Sequence, residues 1–260
     1  MRRSETPKPR LAPFLAMTLL AALLVSCTSG GNGETASSRR EGAPSAPAPS
    51  PAPPPPVYVA VGASETVGVG ADLPEQAWPE VLRRTRLPEG TSFTNVGISG
   101  ATVSQALTQE LAKALALQPT LVTVWLNVND LTAGVPAATY EGQLRQLVHA
   151  LRRDGAAKVL VANTPPVEIL PSYLACRARP TGLCALAAAL PPEAVAASVD
   201  TYNAAIQRVA MAEGAVLVDL HAASRQAKAA GEFDALVARD GFHPSTLGHR
   251  AVADTFGSAL

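Results

Sequence analysis

The segment Asp240-Gly241-Phe242-His243-Pro244 places an aspartate three residues before a histidine. A turn at the glycine can bring both side chains to one side of the chain, so that the carboxylate bonds one ring nitrogen. The other ring nitrogen is then free to act as a general base. The ordinary alternative is a loop aspartate that caps the last helix, next to an unrelated histidine.

A base of this kind needs a nucleophile, and the candidate is Ser64 within Gly62-Ala63-Ser64-Glu65-Thr66. The segment follows an apolar run, and a serine behind a glycine at a strand-to-helix turn is placed to expose its hydroxyl. Thr66 stands where the Gly-x-Ser-x-Gly elbow of α/β-hydrolases has its second glycine, so that motif is absent. Taken alone, the segment favours a capping serine in a loop.

Two further segments carry groups that could stabilise an oxyanion. Gly100 ends the segment 95–100 (NVGISG) and can present an unshielded backbone N–H, while Asn129 in 127–130 (NVND) can donate from its amide. Each has an ordinary alternative: a turn that needs glycine, and an asparagine that caps a helix or forms an Asx turn.

The elements that must position these residues alternate between strand and helix. Strands are predicted over 57–62, 92–98, 120–126, 158–162 and 215–220, and helices over 78–85, 104–117, 140–153, 199–213 and 245–260. Ser104 is expected to cap the second helix. Nearly continuous apolar strands are typical of a parallel sheet covered on both faces. The pattern therefore predicts an α/β fold, a three-layer α/β/α sandwich around a five-stranded parallel sheet.

Ligands of such sheets bind at the carboxyl ends of the strands, and Ser64, Gly100 and Asn129 each follow one of the first three strands. Asp219 ends the fifth strand and is the alternative acid, but Asp240 has the better spacing to a histidine. Glu168 lies in a predicted loop with no evident partner. The histidines at 149, 221 and 249 are expected to be structural or solvated.

In this order and at these strand ends, the four segments resemble the SGNH/GDSL hydrolase family, and the resemblance covers 57–260. The Gly-Asp-Ser-Leu signature of the family stands here as 62–65 (GASE), and its Gly-x-Asn-Asp block as 127–130 (NVND). Its Asp-x-x-His block matches 240–243, including the proline that follows.

The resemblance implies a flavodoxin-like fold and a serine esterase or lipase with the catalytic triad Ser64, Asp240 and His243. It implies an oxyanion hole made by the backbone N–H groups of Ser64 and Gly100 and by the amide of Asn129. It implies no metal and no cofactor.

The sequence departs from the family pattern at three positions beside these residues. Ala63 and Glu65 replace the usual aspartate and leucine, and we assign no chemistry to either. Asn127 replaces a glycine, and we expect it to narrow or repolarise the pocket.

The first 56 residues are predicted to be a targeting signal and a tether. Residues 1–27 have a basic leader and an apolar run over 11–25 that is too short to span a bilayer, and they end in a sequence that resembles a bacterial lipobox. We expect lipidation at Cys27 and a place in the cell envelope; the alternative is ordinary secretion with Cys27 incidental. Residues 28–56 are a low-complexity, proline-rich segment and are expected to be a disordered linker.

The two remaining cysteines, Cys176 and Cys184, leave an even pair if Cys27 is lipidated. Because an exported protein meets an oxidising environment, they are expected to form a disulfide. The alternative is two buried free thiols.

The charge balance argues against one class of partner. Lys plus Arg and Asp plus Glu both number 21, so the formal net charge is zero, whereas nucleic-acid binders usually carry a basic excess. We expect no nucleic-acid partner, membrane contact through the lipid anchor only, and a monomer. Residues 57–260 are enough for one domain with its own core.

The segment 164–198 is the longest departure from the alternating pattern, and long loops of this kind are often functional. We expect it to form an apolar rim or lid that accepts an acyl group; the alternative is that it only covers the sheet edge. Three functions compete: an esterase or lipase, a polysaccharide O-deacetylase, and a non-catalytic surface-binding lipoprotein on a hydrolase scaffold. The apolar residues of the segment include Leu170, Tyr173, Leu174, Leu183, Leu186 and Leu190.

Overall fold

The computed structural model describes residues 54–182 and 184–260, apart from the side chains of 186–188. The predicted signal and lipobox at 1–27 with Cys27, and the predicted linker up to residue 53, lie outside the described residues, as does Leu183. Within the described part of the chain, no helix has both the length and the apolarity that a membrane span requires.

Five parallel strands form a single sheet in the order β2-β1-β3-β4-β5. This is the flavodoxin-like strand order, in which the order of strand addition reverses between β1 and β3. Together with the helices on both faces, it confirms the predicted three-layer α/β/α sandwich. The strands are β1 Val57–Gly62, β2 Ser92–Asn95, β3 Leu121–Trp125, β4 Lys158–Ala162 and β5 Val216–Val218.

Helices fill the connections between the strands. Three short 3-10 turns lie at 74–76, 153–155 and 167–169. The helices are α1 Ser64–Val67, α2 Trp78–Arg86, α3 Val103–Gln109, α4 Leu111–Ala116, α5 Val128–Thr132, α6 Ala137–Arg152, α7 Pro171–Ala178, α8 Cys184–Ala189, α9 Pro192–Glu213, α10 Leu220–Ala229, α11 Phe233–Leu236 and α12 Thr246–Gly257.

The two faces of the sheet bury separate apolar cores because successive strand side chains point to opposite sides. Val59 and Val61 of β1 belong to the core on one face, with Leu144 of α6 and Ile206 of α9. The helices on this face come from the middle of the chain.

The opposite face brings the two ends of the domain together. Tyr58 of β1 belongs to this second core with Trp78 of α2 and Phe256 of α12. The Trp78 and Phe256 rings stack with centroids 4.3 Å apart. This stacking holds α12, and the loop before it, beside the first strand.

The helix predicted over 104–117 differs from the structure in its cap and in its continuity. Thr102, not Ser104, is the N-cap: its hydroxyl accepts the N–H of Gln105, whose side chain in turn accepts the N–H of Thr102. The segment divides into α3 and α4 at Glu110, whose side chain is turned into the protein interior.

The segment 164–198 is mostly helical rather than an open loop. It contains α7, α8 and the start of α9, and the predicted disulfide between Cys176 and Cys184 joins α7 to α8. Tyr173 is buried, and its hydroxyl donates to the carbonyl of Leu190 at 2.7 Å. The disulfide and this hydrogen bond therefore hold the segment together through contacts among its own residues.

Candidate active site

Ser64 lies at the first position of α1, directly beyond the carboxyl end of β1. A Cβ on Gly62 would lie 2.1 Å from Thr66 Oγ1 and 2.8 Å from the carbonyl oxygen of Trp125, so only glycine permits this approach. The turn presents the Ser64 hydroxyl at the edge of the sheet where the predicted site residues meet.

The structure brings Ser64, His243 and Asp240 together from positions far apart in the sequence. Ser64 Oγ lies 3.0 Å from Nε2 of His243, and Nδ1 of His243 lies 2.5 Å from Oδ2 of Asp240. Oδ1 of Asp240 accepts the backbone N–H groups of Phe242 at 2.9 Å and His243 at 3.0 Å. The carboxylate is thus fixed by its own loop before it bonds the imidazole.

The electrostatics of this pair favour an ionised carboxylate. Burial alone would raise the pKa of Asp240, but the hydrogen bonds from the His243 ring and from the two backbone N–H groups outweigh it and hold the pKa below its usual range. A charged Asp240 accepts the Nδ1–H of His243, which leaves Nε2 as an acceptor for the Ser64 hydroxyl.

Gly100 and Asn129 follow β2 and β3 at the same edge of the sheet. Gly100 has φ +80°, a left-handed conformation that favours glycine, and no heavy atom lies within 4 Å of the position of a Cβ there. One amide hydrogen of Asn129 is donated to the carbonyl of Ala101 at 3.0 Å, and the other remains for a ligand. This bond orients the amide.

Asp130 links the Asn129 helix to the segment that carries Gly100. Both of its carboxylate oxygens accept the backbone N–H of Val103, at 3.1 and 3.2 Å, so α5 is held against the start of α3. Burial raises the pKa of Asp130 to about 6, against these hydrogen bonds.

Asn127 contacts the neighbouring strand. Its side chain is 2% exposed, and its amide donates to the carbonyl of Ala162 at 3.3 Å, at the end of β4. Its amide joins the ends of β3 and β4, and the expectation that Asn127 narrows or repolarises the pocket stays a prediction.

Glu110 is a positioning residue that sequence reasoning missed. It is fully buried, and its Oε2 accepts the N–H of Gly62 at 2.9 Å, two residues before the nucleophile. Its other oxygen is buried with no hydrogen-bond partner among the described residues. Burial therefore raises the pKa of Glu110 to about 7, against the bond from Gly62.

Replacing Glu110 with glutamine is expected to weaken the pH dependence of stability. Between its usual pKa of 4.5 and its value of about 7, the native protein binds the proton more tightly than the unfolded chain does. This contribution is complete below pH 4.5 and is lost as the pH rises through 7, by about 3 kcal/mol at ~1.4 kcal/mol per pKa unit. Urea unfolding from pH 4.5 to about pH 8 measures it.

The control for this experiment is Glu89→Gln, at an exposed turn position. We expect Glu89→Gln to keep the pH profile of the wild type and Glu110→Gln to flatten it. Identical profiles for wild type and Glu110→Gln would contradict the assignment.

Two acidic residues that the sequence did not favour as catalytic groups form hydrogen bonds with structural partners. Asp219 is the N-cap of α10 and accepts the N–H of Ala222 at 2.9 Å, so it does not contact the imidazole of His243. Glu168, predicted to have no evident partner, accepts from the guanidinium of Arg225 at 2.6 Å and is 7% exposed. The partner was missed because it lies on a helix that the sequence did not reveal.

An apolar pocket of about 110 Å³ opens beside the imidazole of His243. The segment 164–198 contributes Pro165, Val167 and Leu170 to its wall. Glu65 also lines the pocket and is 7% exposed. From the sequence we assigned no chemistry to Glu65. The feature that could have drawn attention to it is a charged residue at the position where the family signature has leucine.

Metal ligation has no evident place near these side chains. Across residues 54–182 and 184–260, no three His, Cys, Asp or Glu side chains converge where a metal ion could be held.

Comparison with known proteins identifies the family of this chain and the solved structures that share its fold. A search of curated proteins gives no match. A crystal structure of a candidate GDSL-like lipase from Parabacteroides merdae superposes with a TM-score of 0.61 at 20% identity, over 78% of this chain and 94% of that one. A lipase/acylhydrolase from Enterococcus faecalis gives 0.58 at 20%, over 78% and 94%.

A third solved structure is similar to the same degree. The esterase EstA from Pseudoalteromonas sp., inhibited by monoethylphosphonate, gives a TM-score of 0.57 at 18% identity, over 78% of this chain and 95% of that one. At these identities the structures show a shared fold.

The family model described as GDSL-like lipase/acylhydrolase matches residues 60–251, about three quarters of the sequence. The chain therefore belongs to the GDSL-like lipase/acylhydrolase family.

Proposed function

We propose that this protein is a serine ester hydrolase that cleaves acyl esters through an acyl-enzyme formed on Ser64. The observation that carries the proposal is the continuous chain of contacts from Ser64 Oγ through the His243 ring to Asp240, at 3.0 and 2.5 Å. A serine within hydrogen-bond reach of a base, with that base oriented by a third group, is the arrangement that activates a hydroxyl nucleophile.

In the acylation step, Nε2 of His243 takes the proton of Ser64 as Oγ attacks the ester carbonyl carbon. Asp240 holds the ring in the required tautomer and stabilises the imidazolium that forms. The tetrahedral intermediate then collapses, the bond to the alcohol oxygen breaks, and the proton on Nε2 passes to that oxygen.

In the deacylation step, a water molecule gives a proton to Nε2 of His243 and attacks the acyl carbon. The bond between the acyl group and Ser64 Oγ breaks, and the proton returns to Oγ. The products are a carboxylic acid and an alcohol, and the enzyme regains its starting state.

The negative charge that develops on the carbonyl oxygen needs preorganised donors. We assign these to the backbone N–H groups of Ser64 and Gly100 and to the free amide hydrogen of Asn129. The Asn129 amide is already fixed by its bond to Ala101, so little reorganisation is needed when charge develops.

Reaction of the full-length protein with a fluorophosphonate probe tests the proposal directly. The phosphonate is expected to label Ser64 of the wild type and to leave Ser64→Ala unlabelled, because only an activated serine displaces the fluoride. The inhibition of EstA by a phosphonate is consistent with this choice of probe. A folded wild type that stays unlabelled, or a Ser64→Ala variant labelled equally, would contradict the proposal.

A further inference from the structure

The apolar pocket beside the active site contains one buried carboxylate that the proposed reaction does not use. Glu65 follows the nucleophile in sequence, and its Oε2 accepts the Ser64 hydroxyl at 3.4 Å, a weaker contact than the 3.0 Å to His243. Within residues 54–182 and 184–260, no Lys, Arg or His nitrogen forms an ion pair with Glu65.

This arrangement is electrostatically incomplete. A buried carboxylate is normally paired, because its desolvation is otherwise not offset. Burial accordingly raises the pKa of Glu65, and its backbone hydrogen bond, the nearby His243 and the Ser64 hydroxyl only partly oppose that shift. An anionic Glu65 would also oppose the negative charge that develops next to it on the reacting carbonyl oxygen. A cation bound in the pocket would remove both costs.

The remaining walls of the pocket suit a cation that is itself apolar. The aromatic residues Trp125, Phe233 and Phe242 line it, together with aliphatic side chains. Aromatic faces attract alkylammonium groups, most strongly where water is excluded. Among the lining residues, the ionisable groups are Glu65 and His243.

The position of the pocket indicates which part of the ester enters it. His243 lines the pocket, whereas the proposed oxyanion donors Gly100 and Asn129 do not. During acylation the alcohol oxygen must approach Nε2 of His243 to receive its proton. The group attached to that oxygen therefore lies next to the pocket, so the geometry favours the alcohol there over the acyl group that the sequence suggested.

We propose that the pocket binds a small alkylammonium group carried by the alcohol part of the ester, with Glu65 as its counter-ion. The inference rests on the proposed hydrolase activity for its reaction step, but not for its binding step. The cavity of about 110 Å³ has room for several heavy atoms, since a water molecule needs only ~10–15 Å³ by the same measure.

Acetylthiocholine and its neutral carbon isostere, in which tert-butyl replaces trimethylammonium, form a matched pair of substrates. The wild type is expected to show a kcat/KM for the cation roughly tenfold to thirtyfold above that for the isostere. Glu65→Gln, which keeps size and shape, should lower this ratio by slowing the cation, and the preference that remains is then that of the aromatic faces. Equal rates for both substrates in the wild type would overturn the inference.

Two further variants make this result specific. Glu65→Leu carries the residue of the family signature and tests the same loss of preference if the glutamine variant folds poorly. Exposed Glu89→Gln removes a distant carboxylate and should keep the wild-type ratio. A similar loss in Glu89→Gln would show that net charge, and not Glu65, sets the preference.

Binding without turnover separates this inference from the proposed function. Titration calorimetry of the full-length protein with choline, and with its tert-butyl isostere, should show tighter binding of choline by about tenfold, and Glu65→Gln should reduce the difference. Glu65-dependent binding of choline in a protein that the fluorophosphonate does not label would support the pocket and refute the hydrolase. Phosphonate labelling without preferential choline binding would refute the pocket and leave the hydrolase standing.

Discussion

Ser64→Ala is expected to lower kcat for a nitrophenyl ester by a factor on the order of 10⁶, and His243→Ala is expected to cost about as much. Without the Ser64 hydroxyl no acyl-enzyme forms, and without His243 the hydroxyl loses the base that lies 3.0 Å from it and keeps the weaker contact to Glu65 at 3.4 Å. Stopped assays on purified, folded variants give both values.

The informative comparison is the double variant Ser64→Ala/His243→Ala. Because the two residues act as one unit, the double variant should be no slower than either single variant. Any remaining acceleration over water would come from the oxyanion donors and from substrate binding. Ser258→Ala, at an exposed position near the end of α12, is the matched serine control and should keep full activity. If the kcat losses of the two single variants multiplied in the double variant, a joint role of the two residues would be disproved.

Asp240→Asn is expected to be the next most damaging substitution, with a loss in kcat of about 10³-fold. A buried aspartate in such a triad is worth about 10⁴-fold, because its amide replacement favours the wrong imidazole tautomer. The Asp240 side chain is 45% exposed, so water replaces part of its effect, and we expect a smaller loss.

Asp219→Asn is the control for this measurement. Asp219 ends the fifth strand and was the alternative acid, but it caps α10 and bonds the amide of Asn163 at 2.8 Å. Its substitution should lower the free energy of unfolding and leave kcat per folded molecule unchanged. A larger kcat loss in Asp219→Asn than in Asp240→Asn would reverse the assignment of the triad acid.

The central strands could be predicted from sequence because burial on both faces leaves a clear apolar signal. The predicted bounds of β1 and β4 agree with the structure. The observed β2 is shorter than the predicted strand 92–98: it is an edge strand that ends at Asn95, whose side chain bonds the carbonyl of Thr66 and the N–H of Gly97.

Some elements were missed because their signal comes from tertiary contacts. Helix α10 has Leu220 as its one buried residue and otherwise consists of alanine and polar residues, so few large apolar side chains mark its inner face. The Asp219 cap was the one local sign of its start.

For the same reason, some residues of the candidate site could be predicted from the sequence and others could not. Ser64, Asp240 and His243 could be chosen because their types and their positions at predicted element ends carry meaning without a structure. Glu65 and Glu110 could not be chosen in this way. A glutamate side chain is ordinarily solvated, and it is the tertiary fold that buries these two residues. Their unusual environments depend on contacts between distant segments.

The sequence separation of 179 between Ser64 and His243 has a consequence for the order in which the site is assembled during synthesis. A ribosome delivers the Ser64 segment early and the His243 segment late, and the stacking of Trp78 on Phe256 cannot form before the last helix is made. The nascent polypeptide therefore carries Ser64 without its proposed base throughout most of its translation. On the proposed mechanism, the triad is complete only when synthesis has passed the final helix.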